Sequence, residues 1–344
     1  QRKSLVNNNT MTQNQDSKVL ENPHIVNLQL TPKNFEHAVT MIKEFAFAEV
    51  EKEAREKQLY FHNYAHAQAV QRRAEIIFNA IEPFWDKICQ ESNSSDSKRA
   101  KYLIDICAAS HDMVQEFLPL KSPQTARQRE SGVSENATIN KLINFIKQLD
   151  KNFLAQNPGA SPLFTLADLE IIRKSISATI CNFDTNDNSI YQPDLYNLGQ
   201  QIALNARIIA LADIGGLGID GIPAYSQEGS LILLEENLDI IPLVKEFLAK
   251  ADNKNHKKEL YENLRQRLLK RAKFQISFAK GRYTRLSKEL EGLPTEVISI
   301  LKKDVFKYLN EEIIREIETS TPTANNTSLE KLIEFFELEK YIHN

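Results

Sequence analysis

Seven histidines occur in the 344-residue chain, and His62, His66 and His111 all fall between Tyr60 and Asp112. His62 and His66 stand four residues apart in YFHNYAHAQAV, and His111 is followed directly by Asp112 in ICAASHD. Asp213 closes the run IALNARIIALAD. Imidazole nitrogens and carboxylate oxygens together suit a first-row divalent cation. That makes His66, His111, Asp112 and Asp213 candidate metal ligands. A lone histidine on an apolar helix face is ordinarily a hydrogen-bonded core residue, and a lone aspartate near a helix end is ordinarily a cap. The set, rather than any one member, points to a metal.

Three helices must position these groups. With Asn63 as N-cap, His66, Val70, Ala74, Ile77 and Ile81 share one helix face, so His66 opens an apolar stripe. Ile104, Cys107, Ala108 and His111 share a second face, and Ile202, Ala206, Ile209 and Asp213 a third. A carboxylate at the end of an apolar stripe needs a charge partner, hydrogen bonds or a metal, because burying it alone is expensive.

The order His66, His111-Asp112, Asp213 resembles the H…HD…D ligand pattern of the HD-domain metal-dependent phosphohydrolases. The segment YFHNYAHAQAV is similar to the YHNxxHxxxV segment of the branch that includes the cyclic-nucleotide phosphodiesterases. The resemblance spans about residues 45 to 290 and departs from the pattern in two places: Phe61 separates Tyr60 from His62, and no second histidine follows His111-Asp112 closely. It implies an all-α HD-domain helical bundle with additional C-terminal helices. It also implies a divalent metal ion (Mn, Mg, Fe, Co, Ni or Zn; one or two ions) held by His66, His111, Asp112 and Asp213. His62 is then the proton donor, and Asp112 reaches toward a second ion. The activity implied is hydrolysis of a phosphoester, in a nucleotide or a small phosphorylated metabolite, by a metal-activated water. No histidine lies between His111 and His256, which favours phosphoester hydrolysis over the oxygen chemistry of His-rich di-iron relatives. The alternative is a catalytically weak HD fold that binds a nucleotide as a sensor or partner-binding module.

The rest of the chain is read more coarsely. Only 10 Gly and 12 Pro interrupt it, and alternating β-branched patterns are rare, so helices should dominate. A net charge of −3 gives no general pull toward nucleic acid or an anionic membrane. No apolar run approaches the ~20 residues of a membrane helix. Cys89, Cys107 and Cys181 lack CxxC spacing and read as reduced thiols of a cytoplasmic protein. Residues 1–30 read as a polar leader, 31–290 as the catalytic domain, and 291–344 as a C-terminal helical extension packed on the core. Oligomeric state is left open.

A first helix is expected over 32–56, with Thr31-Pro32 as its start. Ser134 is expected to cap the helix after the loop KSPQTARQRESG. In that region Glu135 is a third catalytic candidate beside His62 and Asp112, facing either solvent or the site. Arg127 and Arg129 are candidates to hold a substrate phosphate, since guanidinium suits bidentate oxyanion contact. Residues 166–183 read as an apolar-striped helix, 184–193 as a polar loop, 195–214 as the Asp213 helix closed by Gly215-Gly216, and the following Gly-rich run as turns forming a rim or lid. A long amphipathic helix is expected over 256–290, and its segment FQISFAKGR resembles a C-terminal helix of related bacterial proteins, which implies that Gln275 and Arg282 close the pocket. Its basic residues read as a solvated face rather than a nucleic-acid surface. Two further helices are expected over 295–318 and 328–342.

Overall fold

The computed structural model describes residues 30–89, 96–197, 202–249 and 257–343. The expected polar leader therefore lies outside the described residues, except for Leu30. The fold is all-α, built from helices that start where short polar side chains can take an orphaned backbone N–H. Helix α1 (Phe35–Lys57) starts at Asn34, whose side chain accepts from His37 N at 2.8 Å. The Thr31-Pro32 start is thus displaced by three residues. Helix α2 (Tyr64–Ile81) is capped by Asn63 as expected, and it buries His66, Val70, Ala74, Ile77 and Ile81. After the single-turn α3 (Trp85–Ile88), α4 (Ser97–Ser110) is capped by Asp96, which accepts from Arg99 N at 2.7 Å.

Helix α5 (Val133–Gln156) starts at Gly132, with φ +84°, not at Ser134. The Ser134 hydroxyl is already committed, accepting from Glu116 N at 2.9 Å. Helix α6 (Leu166–Ser177) begins in a reciprocal Thr165/Asp168 capping box. The helix expected over 166–183 ends at Ser177, and a small antiparallel hairpin, β1 (Asn182–Asp184) with β2 (Ser189–Tyr191), takes in its last expected residues and the segment read as a polar loop.

Helix α7 (Leu204–Asp213) is shorter than expected: residues 193–196 form a separate 3₁₀ turn, and 198–201 lie outside the described residues. It does not end in a left-handed glycine, because Gly215 has φ −85°. A π-turn over Gly216–Asp220 follows, and then helix α8 (Ile222–Glu236). The Gly-rich run is therefore five residues of turn and a full helix. A Cβ at Gly216 would displace the Glu228 carboxylate, which pairs with Arg73. Helices α9 (Ile240–Ala249) and α10 (Lys258–Glu289) come next. On α10 Tyr283 is exposed, whereas the neighbouring Arg282 is buried. The C-terminal part is more broken than expected: α11 (Thr295–Ile300), a π-turn over Leu301–Val305, α12 (Glu311–Ser320) and α13 (Leu329–Phe335).

Helix α4 lies at the heart of the main core, packed against α1, α2, α6 and α7. Its small residues Ala108 and Ala109 let neighbours approach closely, while Leu103, Ile104 and Ile106 fill the space between them. Val297, Leu301 and Phe306 join this same core, so the C-terminal residues pack into it. A second core joins α8, α9, α10 and α13 through residues such as Leu234, Val244, Leu268 and Leu332. The buried Arg73 of α2 ties the two regions together, since Nε donates to Asp220 at 2.8 Å and Nη2 bonds Glu228 of α8. Among the described residues, no helix is long and apolar enough to cross a membrane.

Leu103 is fully buried in α4. Leu103→Ala is expected to destabilise the protein by about 2–5 kcal/mol, read as a lower urea midpoint with an unchanged slope.

Candidate metal centre

The ends of three mutually packed helices converge on one point. His66 sits in the first turn of α2, where Asn63 Oδ1 accepts from its backbone N–H at 3.3 Å. His111 terminates α4, its backbone N–H bonding Cys107 O at 2.9 Å, and Asp112 follows it. Asp213 is the last residue of α7. The four ligand atoms lie within 4.8 Å of one another, and His66 and His111 are buried. His66 Nε2 is 3.1 Å from Asp112 Oδ2 and 3.2 Å from Asp213 Oδ1. His111 Nε2 is 2.8 Å from Asp112 Oδ2 and 3.3 Å from Asp213 Oδ1.

Of these contacts, only His66 Nε2 to Asp213 Oδ1 has hydrogen-bond geometry. His111 Nε2 and Asp112 Oδ2 are buried and have no hydrogen-bond partner of acceptable geometry. Such orphaned atoms, aimed at a shared point, are what a ligand set presents before its ion. On the far side of the ring, His111 Nδ1 donates to Ala108 O at 2.9 Å, which leaves the Nε2 lone pair facing the cluster. His66 Nδ1 has no such partner, and its ring lies against Phe61 at 4.2 Å between centroids.

The electrostatics agree. Burial opposes charge on His66, but hydrogen bonds and attraction from Asp112 and Asp213 override it and push its pKa up to about 9. Burial opposes charge on His111 too, and Asp112 followed by Asp213 pushes its pKa well above the usual histidine value. Both aspartates are depressed in turn: burial resists, and the two histidines win. Protons on the imidazoles thus stand in for a cation. A divalent ion fits the site, because two neutral imidazoles and two carboxylates balance its charge. The carboxyl ends of α4 and α7 add negative dipole potential at the same place.

No family model matches the chain, and no characterised protein or solved structure matches it significantly.

His62 stands beside the cluster, held by a residue that the sequence did not single out. Its Nδ1 bonds Glu235 Oε1, while Glu235 Oε2 accepts from the backbone N–H of Phe61 at 2.8 Å and of His62 at 2.9 Å. On the other edge, Arg129 Nη1 lies 3.3 Å from His62 Nε2 and donates to Gln115 Oε1 at 2.5 Å. Gln115 Nε2 in turn donates to Asp112 Oδ1 at 3.2 Å. A continuous polar chain therefore runs from Glu235 through His62, Arg129 and Gln115 to Asp112. Glu235 escaped notice because the run LILLEEN read as turns; read as helix, its carboxylate falls among buried leucines.

The other candidates divide. Glu135, half-buried in the first turn of α5, has its pKa raised by burial and by the charge of Asp112, which puts it on the site side rather than in bulk solvent. Arg127 is spent elsewhere: its guanidinium donates to Glu235 O, Lys57 O and Gln58 O, and it lies 4.1 Å over the Phe117 ring. It fastens a loop instead of facing the cluster. Gln275 lines a cavity of about 280 Å³ that also reaches Asp213, His62 and Arg129. Arg282 does not line it; two turns further along α10, it is buried in an ion pair with Glu289 at 2.6 Å.

Burial alone would raise the Glu235 carboxyl, but the His62 ring and the two N–H donors hold it down at about 2. A carboxyl depressed in the folded state stabilises fully above its unfolded value, near 4.5, and that contribution is lost as pH falls through about 2. The stability gap between wild type and Glu235→Gln should therefore be on the order of 3 kcal/mol at neutral pH and close between pH 4.5 and 2. Urea titrations at fixed pH measure it; a gap that stays constant over that range would mean the carboxylate is not held by His62.

Proposed function

We propose that this chain is a metal-dependent phosphohydrolase that cleaves a phosphoester of a nucleotide or another small phosphorylated metabolite. The observation that carries the reading is the His66, His111, Asp112 and Asp213 cluster, whose Asp213 lines the cavity that His62 also lines. The four residues would hold one divalent cation. When bound, such a cation supplies an activated water of lowered pKa and an electrophile for a phosphoryl oxygen.

The chain's own residues then do the following. Glu235 accepts from His62 Nδ1–H, which fixes the ring tautomer and directs Nε2 toward the cavity. Once Arg129 has moved off it, Nε2 takes a proton from solvent and gives that proton to the departing alkoxide as the P–O bond breaks. Arg129, now against Nε2, is placed to move onto a phosphoryl oxygen once a substrate enters, freeing Nε2 for the leaving group. Gln115 keeps Asp112 oriented through its second oxygen. Phe61 and the Phe274 and Phe278 rings line the cavity and exclude competing water.

The reading is tested by metal analysis of the purified protein and of Asp112→Ala, paired with phosphate release from nucleotides and from bis-(p-nitrophenyl) phosphate. Wild type should carry or take up about one or two equivalents of Mn, Fe, Co, Ni, Zn or Mg. Asp112→Ala should lose most of that metal and at least ~100-fold of the activity. A wild type that takes up none of these ions sinks the proposal.

A further inference from the structure

Helix α10 brings Arg271, Phe274, Gln275 and Phe278 to the cavity that reaches Asp213. A second cavity, of about 580 Å³, lies on the other side of a shared wall made of Glu236, Arg271 and Phe274. The remaining wall of this larger cavity includes Pro119, Lys121 and Gln128 from the loop after Asp112, together with Arg267 and Lys270 of α10.

Arg271 differs from the other arginines nearby. One turn earlier, Arg267 also has an orphaned Nε, but its two terminal nitrogens pair with Asp239 at 2.8 and 2.7 Å. Arg282 is spent on Glu289, and Arg127 on backbone carbonyls. The half-buried Arg271 makes no ion pair and no hydrogen bond among the described residues, and its Nε is buried without a partner. The Phe274 ring lies 5.0 Å from its guanidinium carbon and braces the plane of the fork. Burial pushes its pKa down, as expected for a cation removed from water without compensation.

The carboxylates that share these walls do not compensate it. Glu228 is committed to Arg73, and Asp213 to the histidine cluster. Glu236 is near enough to act on Arg271 electrostatically but not to pair with it. Around the larger cavity, Lys121, Lys270 and the unpaired Arg271 outweigh Glu236, with Arg267 already balanced by Asp239. A doubly charged oxyanion matches that surplus better than a carboxylate does.

We infer that Arg271 forms a remote-anion subsite, and that the substrate is a small molecule with a second phosphate held there while the reacting phosphate lies at the His66, His111, Asp112 and Asp213 cluster. The inference rests on the phosphohydrolase reading for the place of the reacting phosphate, but not for the ligand of Arg271 itself. The guanidinium fork takes two phosphate oxygens at once, which a lysine at the same position cannot do. Substrates with a single phosphate would leave Arg271 desolvated and unpaired, so they should bind more weakly.

The test uses hexyl phosphate and hexane-1,6-diyl bisphosphate as probes, with binding followed by calorimetry. In chelator-treated, metal-free protein, hexyl phosphate should bind wild type, weaken at least about tenfold in Arg271→Gln, and keep part of its affinity in Arg271→Lys. In the metal-loaded protein, wild type should prefer the bisphosphate at least about tenfold, and Arg271→Gln should lose that preference. Circular dichroism melts establish that each variant is folded; if Arg271→Gln is not, the loss in Arg271→Lys decides by the same criterion. The subsite is overturned if the folded variant binds hexyl phosphate as tightly as wild type, or if wild type does not bind it. Arg271-dependent binding without phosphate release from any probe would support the subsite and count against hydrolysis, so the two readings fail separately.

Discussion

Two carboxylates, Asp112 and Asp213, are set at the ends of buried helices, and the rest of the structure answers to them. Removed from water, they require positive charge close by. The fold supplies it through His66 and His111, both drawn toward the protonated state. The constraint reaches the core, because the four groups meet only if α2, α4 and α7 keep their mutual packing. Stripes of Val70, Ile77, Leu103, Ile104, Ile208 and Ile209 are therefore as much a condition of the site as its ligands. Hydrophobic burial holds the helices, and the helices hold four polar groups in a place that water would otherwise claim.

From the carboxylates outward, orientation passes along directional contacts. Gln115 links Asp112 to Arg129, Arg129 meets His62, and His62 is locked to Glu235. Each link is modest by itself. A connected set in a sheltered environment stiffens side chains that would otherwise sample several rotamers. His62 therefore has a defined edge facing the cavity before any ligand arrives.

What the sequence revealed followed the range of the interactions. The Asn63 cap and the burial of His66 through Ile81 are local, governed by residues within a turn or two, and both were legible. The cluster of His66, His111, Asp112 and Asp213 was legible too, since three of them stand at one end of an apolar stripe and Asp112 adjoins His111. Competition among neighbours was harder to read: Asn34 takes the cap assigned to Thr31-Pro32, and Ser134 loses its cap to Gly132 because Glu116 uses its hydroxyl. Tertiary burial overrode local appearance at 222–236, where glycines suggested turns but Leu233 and Leu234 anchor a helix, and Glu235 was missed with it. The fates of Arg127 and Arg282 depended on partners that composition does not disclose; Glu235 is 108 positions from Arg127.

That last pairing has a mechanical meaning. The Glu235 carboxylate grips the ring of His62, while its own carbonyl oxygen accepts from Arg127, and the neighbouring Glu236 carbonyl accepts from the Arg127 backbone. Arg127 also reaches the last carbonyls of α1, and two residues along the same strand of loop stands Arg129. His62 and Arg129, which meet at the cavity, are thus pinned to a single rivet. A shift of α8 would carry both together, keeping the distance between them while changing where the pair stands over the His66, His111, Asp112 and Asp213 cluster.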